Sequence, residues 1–148
     1  MLESLQIRNY VLIDSLDIRF PEGLIIISGQ TGAGKSILLG ALSLLLGSKA
    51  DASVIGGEAD SCVVEAVFRI PESDLVLKEI LDDNDVEAGD GELIIRRVVN
   101  RSGRSRSFIN DSPVNIQILQ SISSRLVDIH SQHQTLLLSS LIDRKSVV

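Results

Sequence analysis

The stretch that most constrains this sequence is Gly29-Gln30-Thr31-Gly32-Ala33-Gly34-Lys35-Ser36, a complete G-x-x-x-x-G-K-S phosphate loop. It follows an apolar run, residues 24–28, and opens an apolar segment of helical character, residues 37–46. In this strand, loop and helix context, backbone N–H groups and the positive end of the helix converge on a phosphate. Lys35 is expected to reach the β- and γ-phosphates and Ser36 to hold Mg²⁺, so the pattern predicts binding of ATP or GTP with magnesium. The predicted nucleotide contacts are Gly29, Gln30, Thr31, Gly32, Ala33, Gly34, Lys35, Ser36 and Ile37.

Composition limits the classes of protein to which the chain can belong. Its 148 residues are 44% hydrophobic, which gives room for one domain with a real core and argues against disorder. A net charge of −6 argues against a surface that binds nucleic acid everywhere, but a local basic patch is compatible with it. Cys62 is the only cysteine, so no intrachain disulfide can form, and nothing near Met1 resembles a secretory signal. The longest apolar stretch, residues 37–46, is too short to span a bilayer, and we expect a soluble cytoplasmic protein without membrane contact.

The pattern of apolar residues predicts a mixed α/β chain. Alternation at residues 5–8 and 16–20 predicts two half-buried antiparallel strands, and residues 24–28, apolar on both faces, predict a central strand. The following helix is expected to end at Gly47, a natural C-cap. The remaining predictions, in chain order, are a loop at 48–60, a strand at 62–70, a helix at 72–83 capped by Ser73, an acidic solvated turn at 82–90, a hairpin of strands 93–100 and 105–110, a helix at 114–126 and a short strand at 126–130.

A phosphate-loop hydrolase also needs an acidic residue at the end of an apolar strand. No run of four apolar residues followed by Asp-Glu occurs, and the nearest candidates are Asp82-Asp83 and Asp128. For Asp128, the pattern favours a polar position on a half-buried strand over a catalytic role. Zinc binding by His130 and His133 is disfavoured, since no cysteine partner accompanies them. The catalytic set is therefore incomplete in this chain.

Two further polar features carry functional hypotheses. A glutamine just past the predicted strand at 126–130, either Gln132 or Gln134, could ligate Mg²⁺ or hold the attacking water through its amide oxygen. The predicted hairpin carries five arginines that either touch DNA phosphates or pair with the acidic turn at 82–90, and the sequence leaves both alternatives open. Only Phe108 is aromatic there, so a base-stacking platform is not expected. The arginines are Arg96, Arg97, Arg101, Arg104 and Arg106.

Four segments, in the right order, resemble the RecN family of bacterial DNA repair proteins, relatives of the structural maintenance of chromosomes (SMC) proteins. They are MLESLQIRNYVLI at 1–13, the phosphate loop and helix from Gly29 to Leu42, RRVVN through GRSRSFIN at 96–110, and DIHSQHQ at 128–134. The phosphate loop is shared by many enzymes, whereas the other three together are fairly specific to this family.

The resemblance implies a fold class, an α/β P-loop NTPase: the N-terminal lobe of an ATP-binding-cassette (ABC) or SMC-type ATPase head, with a mixed sheet and an antiparallel β subdomain, over residues 1–148. The coiled coil and the C-terminal lobe with the remaining catalytic acids would lie elsewhere, so the lobe alone should be inactive. By the same resemblance, Lys35 and Gln132 are catalytic, Ser36 and Gln132 bind Mg²⁺, and Gln134 is a second glutamine candidate. Lys49 stands where relatives often have Arg, and Lys cannot reproduce a bidentate guanidinium contact to phosphate.

The resemblance also implies partners and a cellular role. ATP and Mg²⁺ would join two head protomers, each phosphate loop being completed by the partner's second lobe. The implied role is double-strand-break repair on DNA duplexes or ends, in the cytoplasm with the nucleoid.

Two other functions remain as alternatives. One is a self-contained phosphate-loop kinase of a small molecule, with Asp128 as its acid and Arg104 or Arg106 closing over the phosphates. The other is a nucleotide-dependent interaction module without hydrolysis. A kinase should turn over ATP as this chain alone. The N-terminal lobe of an ATPase head should hydrolyse no ATP without the second lobe.

Overall fold

The computed structural model describes residues 2–20, 32–87 and 91–131, with only the backbone described at 32–36 and 127–131. Its centre is a six-stranded sheet in the order β2-β1-β3-β4-β5-β6, in which every described pair is antiparallel. The strands are β1 (Leu2–Tyr10), β2 (Ile13–Arg19), β3 (Ser61–Arg69), β4 (Glu92–Asn100), β5 (Ser105–Ile109) and β6 (Ser112–Val114). The predicted antiparallel strands and the hairpin are confirmed, and the predicted central strand at 24–28 lies outside the described residues.

One face of the sheet forms the core. On β3, Cys62, Val64, Ala66 and Phe68 are buried and alternate with half-buried residues, as the period of two in the sequence predicts. The buried positions continue across the register, since Val64 is opposite Ile7 on β1 and Arg97 on β4. This face packs against helix α1 (Gly32–Leu45), whereas the opposite face is only half-covered.

The helices of the described residues pack on the sheet or on one another. Helix α1 ends before Gly47, which has a φ of 110°, a backbone conformation that glycine adopts readily and other residues rarely. The predicted C-cap is therefore confirmed. Helix α2 (Leu75–Asp83) begins at Asp74, which accepts a hydrogen bond from the Leu77 N–H at 3.0 Å. The predicted cap at Ser73 is wrong by one residue.

The prediction fails most clearly near the end of the described chain. Residues 126–130, predicted as a strand, belong to helix α3 (Ile116–Ser131), which the Asn115 side chain caps by accepting from the Ile118 N–H at 2.8 Å. Leu119, Ile122 and Leu126 are fully buried at helical spacing, so helical periodicity overrides the short apolar pair at 126–127.

Smaller departures concern the loops. The predicted loop at 48–60 contains a 3₁₀ turn, Ala52–Val54, and the buried Ile55. The acidic segment after α2 is not wholly solvated, because Val86 is 3% exposed. Val114, predicted as helical, lies in β6.

Candidate nucleotide site

The N-terminal end of α1 lies within the phosphate-loop sequence, since the helix begins at Gly32. The N–H groups of its first turn, Gly32 to Lys35, have no partner within a helix and carry the positive end of its dipole. No acidic residue occupies this turn, so no carboxylate of the helix competes for those groups. This end of the helix is therefore chemically suited to an anion such as a phosphate.

The other predicted contacts of this site are placed only in part. Ile37 is half-buried and packs against the core. Gly29, Gln30 and Thr31 lie outside the described residues, as do the side chains of Lys35 and Ser36, so their roles remain predictions. Lys49 is exposed in the loop after α1, and its contact with phosphate is likewise untested.

The C-terminal end of α1 is held by Arg97 of β4, which is only 2% exposed. Its Nη1 donates to the carbonyl oxygen of Leu44 at 2.7 Å and to that of Ser48, and its Nη2 lies 3.3 Å from the Ser105 hydroxyl. A cation suits this end of a helix, where carbonyl groups lack partners within the helix. Burial lowers the pKa of Arg97, and no carboxylate among the described residues contacts it.

Arg97 therefore does not belong to a DNA-facing surface, contrary to its place among the hairpin arginines of the prediction. Helix α3 reaches the same junction, because Gln120 Nε2 donates to the Gly47 carbonyl oxygen at 3.0 Å. The phosphate-loop helix is thus fixed at its far end by both the hairpin and α3.

The remaining hairpin arginines have different surroundings. Arg96 lies 3.6 Å from Glu65 and 3.5 Å from Asp111, with its guanidinium 4.6 Å above the ring of Phe108. Arg101 donates to the carbonyl oxygens of Gly57, at 3.0 Å, and Ala59. Within the described residues, the ion pairs of the hairpin arginines therefore involve Glu65 and Asp111 and not the acidic turn at 82–90 that the alternative hypothesis named.

Helix α3 carries the segment that leads to the predicted glutamine. Asp128 and His130 lie within the helix, so Asp128 is not a strand-end acid of the kind that phosphate-loop enzymes use. Gln132 comes directly after Ser131, the last described residue of α3, so the residues before it are helical and not a strand. Gln132, His133 and Gln134 lie outside the described residues.

An ion pair that the sequence analysis missed joins α3 to α2. Arg125 lies 2.9 and 3.1 Å from Asp74 Oδ2 through Nη2 and Nε. Burial raises the pKa of Asp74, but hydrogen bonds from the Leu77 N–H and Arg125 outweigh it, and the pKa lies below its usual value. The two capping residues side by side, Ser73 and Asp74, were the available signal, but nothing local identifies Arg125 as the partner.

The described residues contain neither a cluster of metal ligands nor a membrane-spanning helix. Among them no three His, Cys, Asp or Glu side chains group as metal ligands. Over the same ranges no helix has the length and apolar character needed to cross a membrane.

Comparison with known proteins identifies the family. A family model described as an AAA domain matches residues 4–145. The chain belongs to this AAA domain family. The resemblance to RecN is confirmed by DNA repair protein RecN of Vibrio cholerae, 39% identical over 90% of this chain and 24% of that protein. RecN of Synechocystis sp. is 42% identical over 91% of this chain and 23% of that protein. This chain therefore spans about a quarter of the length of these relatives.

Solved structures confirm the predicted fold class. A chain from work on ATP-driven dimerization and DNA-stimulated activation of SMC ATPases superimposes with a TM-score of 0.64 at 20% identity, covering 96% of this chain and 97% of that one. The SMC head domain from Thermotoga maritima gives a TM-score of 0.54 at 22% identity, covering 81% of this chain and 41% of that one. At these identities the likeness concerns the fold, which is that of an SMC-type ATPase head lobe.

Proposed function

We propose that this chain is the ATP-binding N-terminal lobe of an SMC-like ATPase head that acts in DNA double-strand-break repair and recombination. The observation that carries the proposal is α1, which begins inside the phosphate-loop sequence, and whose first turn has N–H groups without partners in the helix and contains no acidic residue. Membership of the AAA domain family and relatives that are RecN proteins support the same function. Residues 1–148 would form one lobe, with a coiled coil and second lobe in the rest of the protein.

In this proposal each predicted site residue has one task. Lys35 places a positive charge against the β- and γ-phosphates, and the Ser36 hydroxyl and the Gln132 amide oxygen hold Mg²⁺, with Gln134 as the alternative. The free amides of α1 suit phosphate oxygens, so magnesium would enter with the nucleotide and neutralise part of its charge. This chain's own residues bind and orient the triphosphate, and hydrolysis needs the second lobe.

ATP would act by favouring engagement of two heads. A ligand shifts an equilibrium only through contacts that it makes in one state and not in the other. Contacts from ATP to the partner's second lobe would exist only in the engaged state, so binding would favour engagement and hydrolysis would release it. The place of action would be the cytoplasm, with the nucleoid, on DNA duplexes or ends.

The test has a binding part and a turnover part. Equilibrium binding of a fluorescent ATP analogue with Mg²⁺ is expected for this chain, and Lys35→Ala should weaken it at least tenfold, since a hydrogen bond to a charged group contributes about 1.5–3 kcal/mol. Lys78→Ala is the matched control, because it removes the same charge from helix α2 and not from the phosphate loop.

The turnover part separates the proposal from the kinase alternative. The chain alone should release no phosphate, and mixing it with the C-terminal head lobe of a full-length RecN relative should restore hydrolysis that depends on Lys35. Robust ATP consumption by the chain alone would overturn the proposal. The kinase is already disfavoured, because Asp128 lies inside α3 and not at a strand end.

A further inference from the structure

The described arginines differ in whether their charge is neutralised. Ion pairs to carboxylates hold Arg8 to Asp17 at 2.9 Å, Arg69 to Glu3 at 2.6 Å, Arg96 to Glu65 at 3.6 Å and Arg125 to Asp74 at 2.9 Å. Arg19 lines a hollow that also contains Glu3 and Glu92. Arg104 and Arg106 have no such pair within the part of the chain that the structure describes, and both are exposed.

These two arginines lie at the tip of the β4–β5 hairpin, residues 100–106, where positive charge is concentrated. The tip contains Arg101, Arg104 and Arg106 and no Asp or Glu, in a chain of net charge −6. A polyanion approaching this protein is therefore repelled by the molecule as a whole and attracted at the hairpin tip.

The hairpin tip is held in one conformation by backbone hydrogen bonds. Asn100 N donates to Arg104 O at 2.8 Å, Gly103 N to Asn100 O at 2.9 Å, and Arg101 N to Asp60 O at 2.9 Å. The Arg101 guanidinium adds its bonds to the carbonyl groups of Gly57 and Ala59. The backbone of the tip is thus ordered before any ligand arrives, which lowers the entropic cost of binding.

The register places Arg106 on the open face of the sheet, and Arg104 lies one residue before β5, where its carbonyl oxygen accepts from Asn100 N. Arg106 is opposite Val98, and residues two apart on a strand share a face at a spacing of about 7 Å. The opposite face carries the buried Ser107 and Arg97, which pack toward α1. Arg104 and Arg106 are therefore two exposed cationic residues, two positions apart, at the hairpin tip.

The chemistry of the hairpin tip favours phosphates over bases. Guanidinium groups bind phosphate oxygens through a planar pair of N–H donors. Base stacking on single strands needs an open aromatic ring, and Phe108, the aromatic residue of the hairpin, is covered by Arg96. We propose that Arg104 and Arg106 bind the phosphate backbone of duplex DNA without sequence preference, with Arg101 as a positioning residue for the hairpin tip. This inference rests on the proposed function, since it names the DNA-contacting residues of that lobe.

The test is the salt dependence of DNA binding. The probe is a fluorescein-labelled duplex of about 30 base pairs, roughly three helical turns, titrated with this chain between about 50 and 200 mM NaCl and followed by anisotropy. Arg104→Gln and Arg106→Gln should each reduce the slope of log K against log salt by about 0.9, and the double variant by about 1.8, equally on two unrelated sequences. Arg8→Gln is the matched control and should keep the wild-type slope, because Arg8 is already paired with Asp17.

The inference is overturned if the wild-type chain does not bind the duplex at the lowest salt, or if the tip variants keep the wild-type salt slope. It is also overturned if Arg8→Gln reduces that slope as much as the tip variants do. Thermal melting of every variant, followed by circular dichroism, establishes that a reduced salt slope does not come from an unfolded protein. ATP binding measured on the same samples separates the two proposals. Lys35-dependent ATP binding with an unchanged slope in the tip variants refutes this inference alone, whereas absent ATP binding refutes the proposed function.

Discussion

Gly40 on α1 lies against the side chain of Tyr10 on β1. A Cβ added there would collide with the hydroxyl oxygen of Tyr10, whereas the ring carbon Cζ would lie at an ordinary 3.6 Å. Gly40→Ala should therefore destabilise the protein by about 1–3 kcal/mol. In a Tyr10→Phe background the obstructing atom is gone, and alanine's helix propensity should make the same change neutral or stabilising by up to about 1 kcal/mol. Urea denaturation of the four proteins measures the coupling, and an equal cost in both backgrounds would contradict the predicted contact.

Asp74 gives the lobe a pH dependence whose sign follows from its lowered pKa. Because the folded pKa lies below the unfolded value of about 3.9, the carboxylate contributes stability above that pH. That stability is lost as the pH falls through the folded pKa. Asp74→Asn keeps a capping oxygen but loses the charge that Arg125 contacts, and it should cost about 1–2 kcal/mol at neutral pH.

The measurement is urea denaturation of Asp74→Asn and of the wild type at neutral pH and at successively lower pH. The difference between the two proteins should shrink below about pH 4. Asp14→Asn, at an exposed position on β2, is the control and should show no such difference. A cost that persists unchanged in acid would assign the effect to packing and not to the charge.

At the scale of elements, the junction between α1 and the hairpin depends on Arg97. Arg97→Met leaves the carbonyl groups of Leu44 and Ser48 without their buried donor, which should cost about 2–4 kcal/mol, since each unsatisfied group costs about 1–3. Arg97→Lys keeps the charge and should cost less. Because α1 carries the phosphate-loop amides at its other end, we also expect Arg97→Met to weaken ATP binding.

Urea denaturation and ATP titration check both expectations. Arg96→Met is the matched control, since it removes the neighbouring arginine of the same strand from the opposite face. Wild-type stability in Arg97→Met would show that the buried guanidinium does not hold α1.

Elements with a strong local period of apolar residues could be predicted from the sequence. Caps and ion pairs that depend on residues far away in the chain could not. The alternation along β3 predicted its buried face correctly, and the same alternation places Arg97 between Ile95 and Val99, so its burial was available as a signal. Asp74 was missed because Arg125, 51 residues away, stabilises it as the cap. In the candidate site, the start of α1 in the phosphate loop followed from the motif. Which arginines stay unpaired depends on cross-strand neighbours such as Glu65, and this could not be predicted.

At the scale of the whole molecule, the two proposed sites lie at opposite ends of one helix. The phosphate loop meets α1 at Gly32, and the hairpin tip adjoins its other end through Arg97, which contacts Leu44 and Ser105. The 14 residues of α1 separate these ends by about 20 Å. This exceeds the Debye length of about 10 Å at 0.1 M salt, so surface charge at one site is screened from the other.

ATP and DNA should therefore bind this lobe independently, and each should respond only to its own variants. ATP at about 100 times its Kd should raise the free energy of unfolding by about 2.7 kcal/mol in the wild type and in the Arg104→Gln/Arg106→Gln double variant alike, but not in Lys35→Ala. Conversely, Lys35→Ala should keep the wild-type salt slope for DNA. Thermal or urea denaturation with and without ATP, together with DNA titration of Lys35→Ala, measures both halves. If the tip variants lose the ATP stabilisation, α1 transmits the state of one end to the other, and the sites are coupled through the Arg97 junction and not through charge.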